Sequence, residues 1–171
     1  MYVVDFLRRR RVWFEAFLHR PAFSATRLAQ SLHVSGHAVA KSVLLKAGES
    51  FLLAVLPATS RIDLDRLASA LRIDSRQLRL ATEAELLAVF RDCEPGAVPA
   101  FGRLYGLRSI VDLGLAAFEQ IVMRANTRHE GVRMNFRDFE GLEEPLRASF
   151  ARPIAVPEPP HRGGHNRRNA G

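Results

Sequence analysis

A lysine set among aliphatic residues is the first feature of this sequence that asks for chemistry. In Ala38-Val39-Ala40-Lys41-Ser42-Val43-Leu44-Leu45-Lys46 the alternation of an extended strand puts Val39, Lys41, Val43 and Leu45 on one face, the bulkier apolar one. An ammonium aimed into a core is costly unless it meets an anion or lines a cleft, so Lys41 is a candidate for binding a phosphate, a carboxylate or a polarised carbonyl. The plainer alternative is a lysine whose stem packs while its head reaches water. A second candidate is Gly96-Ala97-Val98-Pro99-Ala100-Phe101-Gly102, where glycines permit close backbone approach, free N–H groups can stabilise an oxyanion, and proline stiffens the loop. The same composition also makes ordinary turns. A third is the polar cluster Asn126-Thr127-Arg128-His129-Glu130 between two apolar runs, either a site wall or a hairpin turn, with His129 able to orient a substrate or move a proton.

Other chemistries fare worse. His33 and His37 stand four apart, but Val34-Ser35-Gly36 interrupts helical continuity between them and no nearby Cys or acid completes a tetrahedral set, so no metal is expected. Cys93 lies beside Asp92 and Glu94, which raise a thiol pKa, and has no neighbouring histidine; we read it as an incidental thiol.

The elements that must position these residues are legible to different degrees. Over residues 3–18 apolar side chains recur at Val3, Phe6, Leu7, Phe14, Phe17 and Leu18 with arginines between, which predicts one amphipathic helix ended by Arg20-Pro21. Ser24 is a candidate N-cap for a short helix through Leu32. Residues 38–57 predict two buried strands hinged on Ala47-Gly48-Glu49, the centre of the sheet. Next come a helix over 63–71, a strand over 78–81, and a capping box, Thr82-Glu83-Ala84-Glu85, opening a helix through Phe90. Residues 92–106 carry too many breakers for regular structure and predict a loop of functional length. Strands are expected over 109–112, 120–124 and 132–136, and a closing helix over 138–142. The architecture is therefore α+β: a single domain over residues 1–152 with a mixed β-sheet flanked by helices. Residues 153–171 form a basic tail expected to be disordered.

Bulk properties bound the partner. The chain has 171 residues with 25 Lys plus Arg against 18 Asp plus Glu, a formal charge of +7 and a pI near 10.8, which favours a polyanion, nucleic acid first. No apolar run approaches the roughly 20 residues of a membrane-spanning helix, and we expect a cytoplasmic protein without a membrane partner.

Taken in order, several loose motifs are jointly specific. Leu18-His19-Arg20-Pro21-Ala22-Phe23-Ser24-Ala25, the strand bearing Lys41, Leu53-Ala54-Val55-Leu56-Pro57, Leu80-Ala81-Thr82-Glu83-Ala84-Glu85 and the loop from Cys93 to Gly102 resemble the YbaK / prolyl-tRNA-synthetase-associated domain family of aminoacyl-tRNA deacylases, over about residues 19–142. The resemblance implies a partly barrel-like α+β domain whose cleft takes the terminal adenosine of tRNA with its esterified amino acid. It implies trans-editing hydrolysis of mischarged tRNA with no cofactor, and an aminoacyl-tRNA synthetase as a further partner. By the same resemblance Lys41 contacts the terminal phosphate or carbonyl region and Gly96 holds the scissile carbonyl. His19, Phe23, Ser24, Val98, Pro99, Phe101, Gly102, Asn126, Thr127, Arg128 and His129 then line the substrate. The sequence departs from the family pattern at Ala100, where proline is common, at Ser24, where threonine is usual, and in the later turn, where His129 comes one position late. Two alternatives stand beside this reading. One is a non-catalytic tRNA-binding or synthetase-associated module of the same fold; the other is a helix-turn-helix DNA-binding regulator over residues 25–43.

Overall fold

The computed structural model describes residues 2–19, 29 and 34–154. The chain opens with α1 (Val3–Arg10), which buries Val3, Val4, Phe6 and Leu7 along one stripe and turns its arginines outward. It stops at Arg11, whose φ of 57° is left-handed. Here the structure corrects the single helix expected over 3–18: its second half is β1 (Phe14–Leu18), paired antiparallel with a strand far along the chain, Phe14 opposite Met134 and Leu18 opposite Glu130. Trp13, Phe14 and Phe17 suit a pleated surface, and the waiting strand edge decides the local contest. The short helix expected from Ser24 falls outside the described residues except at Ala29, which is helical and buried.

β2 (Ala40–Ala47) and β3 (Ser50–Pro57) form the expected hairpin, with Gly48 at φ 59° in the turn between them. A strand starting at Ala40 leaves no recognition helix over 39–45, which removes the helix-turn-helix reading. β4 (Ser60–Ile62) leads to α2 (Leu64–Leu71), capped by Asp63, whose carboxylate accepts from the Asp65 and Arg66 N–H groups. β5 (Leu78–Leu80) and α3 (Glu83–Val89) follow, and both halves of the capping box at Thr82 and Glu85 are made. The breaker-rich loop holds one 3-10 turn, Gly102–Tyr105, before β6 (Arg108–Asp112).

The rest is α4 (Leu113–Ala116), β7 (Gln120–Arg124), β8 (Glu130–Asn135), α5 (Phe136–Glu143), β9 (Leu146–Ala148) and β10 (Ala151–Pro153). Phe136, expected to end a strand, instead starts α5. β10 carries ordered pairing to Pro153, and the Ile154 N–H donates to the Thr59 carbonyl at 2.9 Å, so the fold runs two residues into the segment read as tail. Residues 155–171 lie outside the described residues.

A five-stranded sheet, β5-β2-β3-β6-β9, is mixed: β2 and β3 are antiparallel, while β6 runs parallel to both β3 and β9. β3 sits at its centre and is almost wholly buried, which its apolar run anticipates. One face, with Leu44, Leu53, Val55 and Val111, packs under α1 and the Phe101, Phe136 and Phe139 rings; the other, with Leu45, Leu52, Ala54 and Leu56, covers Leu67, Ala68 and Phe150. A three-stranded sheet, β1-β8-β7, meets the larger one, among the described residues, at a parallel bridge, Val39 to Val122. A two-stranded sheet, β10-β4, completes the set. The α+β class stands, but the strands do not close into a barrel. No described helix is long and apolar enough to cross a membrane.

Candidate functional site

The Val39–Val122 bridge fixes where Lys41 goes. Val39 and Val122 pack in one small cluster with Ala29 and Ala58, so their side chains lie on the same side. Two residues further along each strand, alternation returns Lys41 and Arg124 to that face. Lys41 is half-buried, no ion pair engages it among the described residues, and burial holds its ammonium below the usual lysine range. Arg124 is 6% exposed, and its Nη1 donates to the Gly96 carbonyl. Burial first, then the charge of Arg128, pushes the Arg124 guanidinium below its ordinary pKa.

The Gly96 loop is therefore pinned from behind by β7. Gly96 itself has φ 80°, a conformation that glycine adopts without cost, and the Ala97 N–H closes the turn onto the Glu94 carbonyl at 2.8 Å. Val98 is partly exposed beside it and Pro99 is buried. The same loop is tied to the later turn. The Glu94 N–H donates to the Asn126 carbonyl at 2.9 Å, and the Glu94 carboxylate accepts from the Arg128 N–H at 2.8 Å and from Arg128 Nε at 3.3 Å. Those donors, the backbone one first, hold Glu94 below the usual carboxylate range. The turn is braced internally by Thr127, whose hydroxyl accepts from the Glu130 N–H at 3.1 Å, and His129 projects to the exterior. The end of β1 joins them, because the His19 N–H donates to the His129 carbonyl at 2.8 Å.

Five positions named from the sequence, His19, Gly96, Thr127, Arg128 and His129, are thus joined through hydrogen bonds, and Lys41 shares a face with Arg124 behind them. Others have structural employment. Phe101 has no exposed surface and lies edge-on between Phe6 and Phe139, and the Gly102 N–H donates to the buried Glu143 carboxylate at 2.9 Å. Gly102 is glycine because a Cβ there would stand 2.4 Å from the Ser109 hydroxyl. Neither of the two offers a surface to a substrate. Asn126 is also fully buried: its Oδ1 accepts from the Val3 N–H at 2.9 Å, while its Nδ2 donates to the Tyr105 hydroxyl at 2.9 Å and toward Cys93 Sγ at 3.4 Å. It joins α1 to the turn. Phe23 and Ser24 lie outside the described residues, as does His33; His37 is engaged with the Thr59 hydroxyl at 3.0 Å. Burial first, with Asp92 adding to it, pushes the Cys93 thiol up, as its acidic neighbours led us to expect.

Arg124 is the site residue that sequence reasoning missed. Its signal was present: an arginine closing the apolar run Ile121-Val122-Met123 shares a strand face with Val122, the logic that singled out Lys41.

Other solved structures share the fold. The hypothetical protein APE2540 superposes with a TM-score of 0.79 at 15% identity, covering 88% of this chain and 99% of that one. A candidate trans-editing enzyme for prolyl tRNA synthetase gives a TM-score of 0.77 at 18% identity, with 88% and 94% covered. A candidate signal transduction protein from Marinobacter aquaeolei VT8 matches over 70% of this chain and 26% of its own length, at 24% identity and a TM-score of 0.60. At such identities these likenesses speak for the fold alone. No curated protein is a significant match to the sequence. The model of the aminoacyl-tRNA editing domain, however, matches residues 19–142, from the histidine that follows β1 to the last residue but one of α5, and the chain belongs to that family.

Proposed function

We propose that this protein is an aminoacyl-tRNA deacylase that hydrolyses the ester of mischarged tRNA in trans, with the folded domain, which runs to Ile154 rather than ending at 152, as the catalytic unit. The observation that carries the reading is a half-buried Lys41, with no carboxylate paired to it among the described residues, on the face where Arg124 grips the Gly96 loop. An accessible ammonium beside a backbone-lined loop suits the phosphate or ester carbonyl at the 3′ end of a charged tRNA. In this scheme Lys41 binds the terminal phosphate or carbonyl region, and backbone groups around Gly96 hold the scissile carbonyl. Water adds to the carbonyl carbon, assisted by the neighbouring ribose hydroxyl; the bond to the ribose oxygen then breaks, giving a free amino acid and tRNA with its hydroxyl restored. His19, Phe23, Ser24, Val98, Pro99, Thr127, Arg128 and His129 are assigned to the surrounding wall, while Phe101, Gly102 and Asn126 support it from the core. We assign the work to the cytoplasm, where an aminoacyl-tRNA synthetase would supply the error to be corrected.

Two observations favour the non-catalytic alternative. The loop carries Ala100, 1% exposed, at a position where the family commonly has proline, and Asn126 is consumed by structural hydrogen bonds. Deacylation assays of wild type and Lys41→Ala, on tRNAs carrying mismatched alanine, serine, cysteine or proline, decide between the two. Hydrolysis of one or two substrates, lost in the variant by about 100-fold or more, establishes the enzyme. Binding of tRNA with no hydrolysis across the panel overturns it.

A further inference from the structure

Both ends of residues 3–19 are fastened to the same turn. At one end the Val3 N–H donates to Asn126 Oδ1; at the other the His19 N–H donates to the His129 carbonyl. Between them α1 leads away from the site and β1 leads back, so the Arg8-Arg9-Arg10-Arg11 run occupies the far tip of an excursion that starts and finishes at the site. With a rise of about 1.5 Å per residue, Arg10 lies roughly 10 Å along the helix axis from Val3.

The tip is strongly cationic. Arg8 is engaged by Asp5 at 3.4 Å, but among the described residues no carboxylate pairs with Arg9, Arg10 or Arg11, all of which are exposed. Arg10 rests over the Phe6 ring, 5.3 Å from its centroid, which extends its head along the surface. Trp13 is 51% exposed just beyond. Basic residues in a last helical turn do offset the helix dipole, yet one or two suffice for that, and Arg11 lies past the helix end. An unneutralised run of arginines with an aromatic beside it is the composition that binds a phosphate backbone and stacks on exposed rings.

We infer that the tip formed by Arg9, Arg10, Arg11 and Trp13 is a docking surface for the double-stranded stem of the tRNA whose 3′ end enters the site. The inference rests on the deacylase reading for its choice of RNA. In its geometry, the excursion holds the arginines one helix length from the site wall, where the backbone of a substrate anchored there by its terminus passes. The contact is to phosphates, so it contributes affinity and orientation rather than amino-acid choice.

Arg9→Gln/Arg11→Gln leaves Arg10 on Phe6 and so spares the helix packing; Trp13→Ala is the companion variant. Two measurements apply to each: binding of uncharged tRNA across a salt series, and hydrolysis of charged tRNA beside the matching 3′-aminoacyl-adenosine, which has no stem. For the double variant the slope of log Kd against log salt is expected to fall by about one to two, near 0.9 for each phosphate that the protein no longer neutralises. Its kcat/KM on charged tRNA is expected to fall by about 10-fold or more in ~0.1 M salt, with hydrolysis of the aminoacyl-adenosine unchanged. Trp13→Ala should weaken tRNA binding without changing the salt slope. An unchanged slope in the double variant overturns the inference, as does an equal loss on both hydrolysis substrates or a wild type that does not bind tRNA. A wild type that hydrolyses neither substrate yet binds tRNA through these arginines instead overturns the deacylase reading and leaves the docking surface standing.

Discussion

Glu143 is a carboxylate almost sealed into the core, 1% exposed, where it gathers the Gly102 N–H, the Arg103 N–H and the Ser109 hydroxyl. Burial pushes its pKa up to about 7, against the partial opposition of those donors. The folded state therefore keeps a proton that the unfolded chain releases near 4.5. Stability from this group is complete below that lower value and is lost as pH rises toward 7, at about 1.4 kcal/mol per pH unit. Glu143→Gln removes the titration. The melting temperature of the variant relative to wild type should climb between pH 5 and pH 8; a difference that stays flat would mean that burial does not govern this carboxyl. Nothing in the sequence marked the residue: Glu143 and Glu144 look alike there, and only the fold seals one and leaves the other exposed. Strand alternation alone sets Lys41 among aliphatics and marks Arg124 in the same way, but the grip of Arg124 on the Gly96 carbonyl and the bridge that sets it beside Lys41 are contacts between distant parts of the chain.

Among the elements, the loop carrying Gly96 and the turn 126–129 behave as one unit, joined by Glu94 to Asn126 and Arg128 and pinned from β7 by Arg124. Arg124→Ala withdraws the pin while leaving the backbone ties in place. Under the deacylase reading Arg124 is a positioning residue for the Gly96 carbonyl, so kcat should fall by about 100-fold, the scale of a misplaced catalytic group, with KM changed little. Single-turnover hydrolysis beside a thermal melt checks this, and a loss confined to KM would assign Arg124 to substrate binding instead. Elements were readable from sequence in proportion to how local their causes are. The β2–β3 hairpin, the Asp63 cap and the Thr82 capping box are written within a few residues each. β1 is not: its residues repeat well enough for a helix, and the edge of β8 that claims them lies more than a hundred positions away. β9 and β10, three residues each, are too short to have a periodicity at all.

At the scale of the whole molecule, the chain after α5 works as a strap that joins separate sheets. β9 extends the five-stranded sheet along β6, and β10 pairs with β4. Between them Phe150, with no exposed surface, plugs the core behind Leu67 and Leu56. Two buried aspartates hold the strap down. Asp112 Oδ2 accepts from the Phe150 and Ala151 N–H groups, both at 2.8 Å, and Asp63 joins Arg152 while its own N–H donates to the Phe150 carbonyl at 2.9 Å. Phe150→Ala removes a buried ring and should cost about 3–5 kcal/mol. Asp112→Ala leaves the two strap N–H groups and that of Gly114 without their acceptor, at about 1–3 kcal/mol for each one that water cannot reach. If the strap docks as a unit, either change loosens what the other would have removed, so the double variant should lose less than the sum of the two in denaturant melts. Strict additivity would mean that the ring and the carboxylate act independently, with the two sheets held together elsewhere.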